Sequence, residues 1–187
     1  MSLSTVARPS VEHLKGVRIF AAFQDHELGL LLKAGESIDR ASHANIVIEG
    51  ELSWGLYVIL EGVVGILKSN SLSGEVYDVG QLGPGAFFGE MSLIDDQPRS
   101  ATVRALLPVK LLHIPKDIFM AILASNPSMK DRFYENCIRD LVRRLRELDE
   151  NYVVSQYQLW KTAIHGDHDH PRASALPEDS LKTGKVA

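Results

Sequence analysis

The residues with the most chemistry in this sequence lie close together, between Phe88 and Val103. The run reads Phe-Gly-Glu-Met-Ser-Leu-Ile-Asp-Asp-Gln-Pro-Arg-Ser-Ala-Thr-Val. Arg99 offers a planar guanidinium that stays charged and presents a fork of N–H donors suited to phosphate oxygens. Glu90 repels phosphate. It can accept hydrogen bonds from a sugar hydroxyl, and its charge offsets that of a nearby Arg. Gly83, Gly85 and Gly89 permit sharp turns and close approach of a ligand. Glu90 to about Leu93 is expected to form one helical turn, whose free amides favour an anion. An anion site beside a hydroxyl acceptor suits a ribose phosphate. The structural alternative is a buried Glu–Arg pair in a barrel that binds nothing. Desolvation roughly cancels attraction in such pairs, so the presence of both groups at this spacing favours a binding role.

These residues need a scaffold, and the flanking sequence describes one. Between Ala34 and Ile114, short β-rich runs alternate with turn residues. The predicted strands are Ala44–Ile48, Leu56–Leu60, Val63–Lys68, Val76–Leu82, Ala101–Ala105 and Val109–Ile114. Turn signals fall at Glu61-Gly62, Ser73-Gly74 and Gly83-Pro84-Gly85. Many short strands at this spacing imply an antiparallel sandwich or barrel. Short helices are expected from Val11 to Leu32, with Asp25 as a cap, and from Lys116 to Ala124. Pro127 interrupts the second pattern. A longer helix is expected from about Ser128 to about Ile164, followed by a polar, disordered tail. The expected domains are therefore a barrel with flanking short helices over 11–127, a long helix over 128–164 and a tail over 165–187.

Composition narrows the class. The 187 residues are 45% hydrophobic and 24% charged, with net charge −4, as in an ordinary soluble globular protein. The acidic balance supplies no general field for nucleic acid. One cysteine, Cys137, cannot form an internal disulfide or a cysteine metal cluster, which fits a reducing cytoplasmic setting. No apolar run reaches membrane-spanning length, and the start lacks signal-peptide character. The cluster His165-Gly166-Asp167-His168-Asp169-His170 could ligate a metal, but its place in a polar tail makes a solvated segment the expectation. No nucleophile motif such as Gly-x-Ser-x-Gly occurs. An enzyme is not expected, nor are a metal and a cofactor.

The Phe88–Val103 run resembles the phosphate-binding cassette of cyclic-nucleotide-binding domains, the family of catabolite-activator-type regulators, kinase regulatory subunits and gated channels. The match rests on Phe88, Gly89, Glu90, Leu93, Pro98, Arg99, Ser100, Ala101, Thr102 and Val103, with the Glu-to-Arg spacing intact. It extends upstream through Gly55–Gly62 and downstream through the long helix. The resemblance implies an α+β, mainly β fold: an antiparallel double-stranded β-helix or jelly-roll barrel with N-terminal helices and a long C-terminal dimerisation helix. It also implies site roles. Glu90 would bind the ribose 2′-hydroxyl and Arg99 the cyclic phosphate. Backbone amides from Gly89 to Met91 and at Ser100 and Ala101 would bond phosphate oxygens. Val76, Val79 and Leu82 would wall the base.

In the long helix, Ile138, Leu141, Leu145, Leu148, Tyr152, Ser155 and Leu159 alternate by three and four, the seam of a two-stranded coiled coil. Arg144 and Asp149 then fall at facing g and e positions. A parallel homodimer through residues 138–159 is expected. Catabolite-activator-type regulators send polar residues, typically Thr-Ser, from this helix to the adenine. Here Leu148 and Asp149 stand instead. Asp149 is either an acceptor for a base amino group or a solvated e-position charge. The expected ligand is cAMP in preference to cGMP, from the frequency of cAMP in the family. Arg132, Arg139, Arg143, Arg144 and Arg146 make the helix partly basic, with a solvated face as the expectation. No helix-turn-helix pattern follows Ile164, so DNA contact by this chain alone is not expected. The reading is a cytoplasmic sensor that couples ligand binding to movement of its C-terminal helix, read either by an unidentified protein partner or by the dimer mate. The alternatives are a truncated or partner-dependent transcriptional regulator and a ligand-free interaction scaffold.

Overall fold

The structure is a computed structural model that describes residues 9–52 and 55–165. These residues divide into two units, one ending at Arg143 and the other beginning at Arg144. The expected tail over 165–187 lies, apart from His165, outside the described residues.

The first unit opens with helix α1 (Val11–Lys15), a 3-10 turn (Arg18–Phe20) and helix α2 (Asp25–Ala34). Their apolar residues Leu14, Val17, Ile19, Phe20, Leu28 and Leu31 are buried. Asp25 is the first residue of α2 rather than its cap. Gln24 takes the extended cap position, and its amide donates to Glu27 Oε2 at 2.8 Å. The acid three residues on thus serves the orphan amide.

Eight strands follow among the described residues: β1 (Glu36–Arg40), β2 (Asn45–Val47), β3 (Gly55–Glu61), β4 (Val64–Ser69), β5 (Val76–Leu82), β6 (Phe87–Phe88), β7 (Thr102–Ala105) and β8 (Val109–Pro115). All pairings are antiparallel. They form two four-stranded sheets, ordered β1-β8-β3-β6 and β2-β7-β4-β5. This is the jelly-roll barrel expected from the sequence. β1 and β6 were not among the expected strands.

Strand alternation gives the first sheet two buried faces. Tyr57, Ile59, Val109 and Leu111 pack with Val64, Val103 and Ala105 of the second sheet inside the barrel. The residues between them, Leu56, Val58, Leu112 and Ile114, pack against the helices with Leu14, Phe20 and Leu28. Helix α4 (Lys116–Ser125) adds Phe119 and Leu123 to that helical core. Helix α5 (Pro127–His165) adds Met129, Phe133 and Cys137. Phe119 meets Phe133 edge-on, 5.0 Å between ring centroids, the favourable arrangement for aromatic quadrupoles. Pro127 stands at the first position of α5, where a missing N–H costs nothing.

The second unit, from Arg144, carries the rest of α5. Leu145, Leu148, Tyr152 and Leu159 on it are all more than half exposed. No helix among the described residues is long and apolar enough to cross a membrane.

Candidate functional site

The segment singled out by sequence joins the two sheets. Phe88 closes β6 on the first sheet, and Thr102 opens β7 on the second. Between them stands one short helical turn, α3 (Met91–Ile94), which begins one residue after Glu90. Ser92 and Leu93 point inward and are buried, while Met91 and Ile94 are exposed. Leu93 thereby anchors the turn in the helical core. The loop after it closes through Asp96, held at φ 54.

Glu90 and Arg99 come together and are both buried, 4% and 5% exposed. Arg99 Nη2 donates to the carbonyl of Gly55 at 3.0 Å. Its guanidinium carbon lies 5.5 Å from the centre of the Tyr57 ring. Tyr57 is itself stacked between Phe88 at 4.9 Å and His113 at 4.5 Å, so the cation rests on a rigid aromatic platform. Burial pushes the Arg99 pKa down from its ordinary value, and Tyr57 and Glu90 work against that shift. A guanidinium remains charged through such changes.

Two observations bear on a ligand. Arg99 Nη1 is buried and has no hydrogen-bond partner among the described residues. A buried donor left in this state costs about 1–3 kcal/mol, more when charged. An anion would supply the missing acceptor. Gly89 lines the same place: at φ 93, a Cβ there would lie 2.3 Å from Arg99 Nη1 and 2.6 Å from the Gly55 carbonyl oxygen. Only glycine leaves the guanidinium this room. The residues present therefore fit a small anionic group with a neighbouring hydroxyl-bearing part.

The other sequence candidates are placed as follows. Ser100 is exposed and Ala101 half-buried, immediately beyond Arg99. On β5, Leu82 pairs with Val64 and Gly80 with Ile66, on the face that lines the barrel. Val76 pairs with Ser69, which alternation puts on the opposite face. Val79 is the extra residue of a bulge, since Ile66 and Leu67 pair with Gly80 and Asp78. Val76 and Val79 are 61% and 59% exposed. The strand thus brings Leu82 to the barrel side and does not bring Val76 with it, while Val79, unpaired at the bulge, stands between them. Asp149 belongs to the second unit and is exposed.

Sequence reasoning did not find the lysines that fasten this segment. Lys116 Nζ, at the start of α4, donates to the Ser92 carbonyl at 2.9 Å and pairs with Asp96. Lys68 Nζ, on β4, donates to the Ser100 carbonyl at 2.5 Å. Isolated lysines at such sequence separations carry no local pattern. Among the described residues no group of three or more His, Cys, Asp and Glu is arranged to hold a metal. Most of the His/Asp cluster, residues 166–170, lies outside them.

Comparison with known proteins identifies the family of this fold. Residues 40–126 match the family model of the cyclic nucleotide-binding domain. A cyclic AMP receptor protein of Thermus thermophilus is 31% identical over 136 residues, covering 73% of this chain and 61% of its own. The chain thus spans under two thirds of that relative's length. The crystal structure of a cyclic nucleotide-binding domain from Methylobacillus flagellatus superposes with TM-score 0.68 at 26% identity, covering 78% of this chain and 81% of that one. The regulatory domain of Toxoplasma gondii PKA, crystallised with cAMP, superposes with TM-score 0.61 at 26% identity, covering 69% and 48% respectively. Fold, cassette sequence and the Glu90–Arg99 geometry converge: residues 40–126 form a domain of the cyclic-nucleotide-binding family.

Proposed function

We propose that this chain is a non-enzymatic sensor that binds cAMP in preference to cGMP. The observation that carries the reading is Arg99: one guanidinium nitrogen is fixed on Gly55, and Nη1 is buried against Gly89 with no partner among the described residues. In this reading Arg99 pairs with the cyclic phosphate and Glu90 accepts from the ribose 2′-hydroxyl. The backbone of Gly89, Met91, Ser100 and Ala101 completes the phosphate cradle, and Val79 and Leu82 wall the base. The preference for cAMP has its support in the likeness to one protein named for cyclic AMP and another crystallised with it.

Binding is coupled to the C-terminal helix through Lys116. That side chain, the first residue of α4, holds α3 through the Ser92 carbonyl and the following loop through Asp96, and α4 packs on α5 through Phe119 and Phe133. A ligand shifts this arrangement only by its different affinity for two states. The chain works as a parallel homodimer through residues 138–159. Its seam residues Ile138, Leu141, Leu145, Leu148, Tyr152 and Leu159 are 39–66% exposed, and such a stripe is stabilised when a second helix covers it. The setting is cytoplasmic, in keeping with a single cysteine.

Calorimetric titration with cAMP and cGMP tests the reading. Tighter binding of cAMP is expected, with a loss of about 2–4 kcal/mol for Arg99→Ala. A tenfold preference for cGMP would reverse the base assignment. Absence of any cyclic-nucleotide binding would leave an interaction scaffold. Light scattering at micromolar concentration tests the dimer, and a monomer mass would sink it.

A further inference from the structure

Among the described residues, the Arg99 guanidinium makes a single hydrogen bond to the protein, through Nη2. Beyond Gly55 and the Tyr57 ring, its aim depends on how firmly its own backbone is held. That backbone is gripped from two directions. The Arg99 amide donates to the Glu51 carbonyl at 2.7 Å, and the Gly50 amide donates to the Arg99 carbonyl at 2.9 Å. Next door, Lys68 Nζ donates to the Ser100 carbonyl at 2.5 Å and to Glu49 Oε1 at 2.5 Å. Glu49 Oε2 accepts from the Ser69 amide at 2.9 Å. The Glu49 amide in turn donates to Thr102 Oγ1 at 3.0 Å.

We infer that Glu49 and Lys68 are positioning residues for Arg99, pinning the Arg99–Ser100 backbone so that the guanidinium meets its anion at a fixed place. The inference rests on the phosphate-binding reading of Arg99. Three features separate this role from ordinary stabilisation. The pair is partly exposed, with 49% of the Lys68 side chain and 23% of the Glu49 side chain accessible, and such pairs contribute little to stability. Lys68 stands on β4 opposite Tyr77 of β5, one residue beyond the last pair that β4 makes with β7, so its backbone is held by the ladder with β5. One of its two hydrogen bonds ends on Ser100, next to the binding cation, and the other on Glu49, whose own amide bonds Thr102 of the same run. Binding groups need such support because displacements well under an ångström weaken directed contacts. The hydrogen bond from Lys68, followed by that from the Ser69 amide, also holds the Glu49 carboxyl below its ordinary pKa.

The test has two arms. Residue-resolved hydrogen exchange on the ligand-free protein compares wild type with Lys68→Met and Lys68→Arg. Exchange at Gly50 is expected to rise about tenfold in Lys68→Met, the scale of one charge-assisted hydrogen bond, and to stay near wild type in Lys68→Arg. Competition binding of cAMP then compares Lys68→Met in the wild-type and Arg99→Lys backgrounds. A loss of about tenfold in the wild-type background supports the pin, provided that little is lost in the Arg99→Lys background, where no guanidinium is left to aim. Unchanged exchange overturns it. An equal loss in both backgrounds overturns it too, because a general structural defect is indifferent to the cation. If wild type binds no cyclic nucleotide, the phosphate reading fails, and the exchange arm still decides whether Lys68 holds the backbone.

Discussion

The two sheets of the barrel are built from similar strands and put to different use. In the first, β3 and β8 are covered on both faces: one lines the barrel and the other packs against the helices. In the second, β5 is exposed along most of its length, with Val76, Tyr77 and Val79 open and only Leu82 packed against the barrel core. The first sheet is thus committed to holding the fold. The second leaves apolar side chains of β5 uncovered by the chain. The candidate site draws on both. Gly55 and Tyr57 of the first sheet fix Arg99, and Lys68 and Thr102 of the second fasten the backbone around it.

The sharpest way to break this comparison is a cavity in the first sheet. Leu112 is 1% exposed and packs on the helical core. Leu112→Ala is expected to cost about 2–5 kcal/mol in denaturant unfolding. A cost below about 1 kcal/mol would mean that the sheet is less committed than its burial implies. At the junction between the sheets, Gly89→Ala should weaken cAMP binding about a hundredfold by displacing Arg99, because the new methyl falls on Nη1. Calorimetry reads this directly, and wild-type affinity would refute the cradle. On the second sheet the balance reverses. Val79→Ser, 59% exposed, should change unfolding free energy by no more than about 0.5 kcal/mol. It should still weaken nucleotide binding by about 1 kcal/mol through lost apolar contact.

The smallest expected effect is a pH dependence. The carboxyl of Glu49 is held below its ordinary value of 4.5, first by Lys68 and then by the Ser69 amide. Folding therefore favours the carboxylate. Its contribution is complete above the ordinary carboxylate range and is lost as pH falls through the lower folded value. The difference in melting temperature between wild type and Glu49→Gln should be present at neutral pH and close as the solution is acidified. A gap that widens in acid would contradict the pairing with Lys68, the charged group that faces Glu49.

Much of this was legible in the sequence because it is local. The Phe88–Val103 run carries its own chemistry, and β5 begins and ends where its apolar pattern does. The continuous helix α5 follows from a long apolar repeat. What was not legible is what depends on distant partners. β1 reads Glu-Ser-Ile-Asp-Arg, with only Ile38 half-buried, so hydrophobic alternation has nothing to register. β6 has two residues, too few for any period. The bulge at Val79 shifts the face of Val76, and only the ladder with β4 reveals it. Tyr57 looks like any strand tyrosine until Arg99 is placed above it. Glu49, Lys68 and Lys116 are ordinary charges until the chain folds.

One consequence of β3 concerns tolerance to change in length. Along it, Tyr57 and Ile59 face the barrel, while Leu56 and Val58 face the helices. A single inserted residue would exchange the two sets and turn the aromatic platform under Arg99 toward the helices. The hairpin tip near Leu72, which is 96% exposed, would absorb the same insertion without such an exchange. Length variants of this barrel should therefore collect at that tip and be missing from β3.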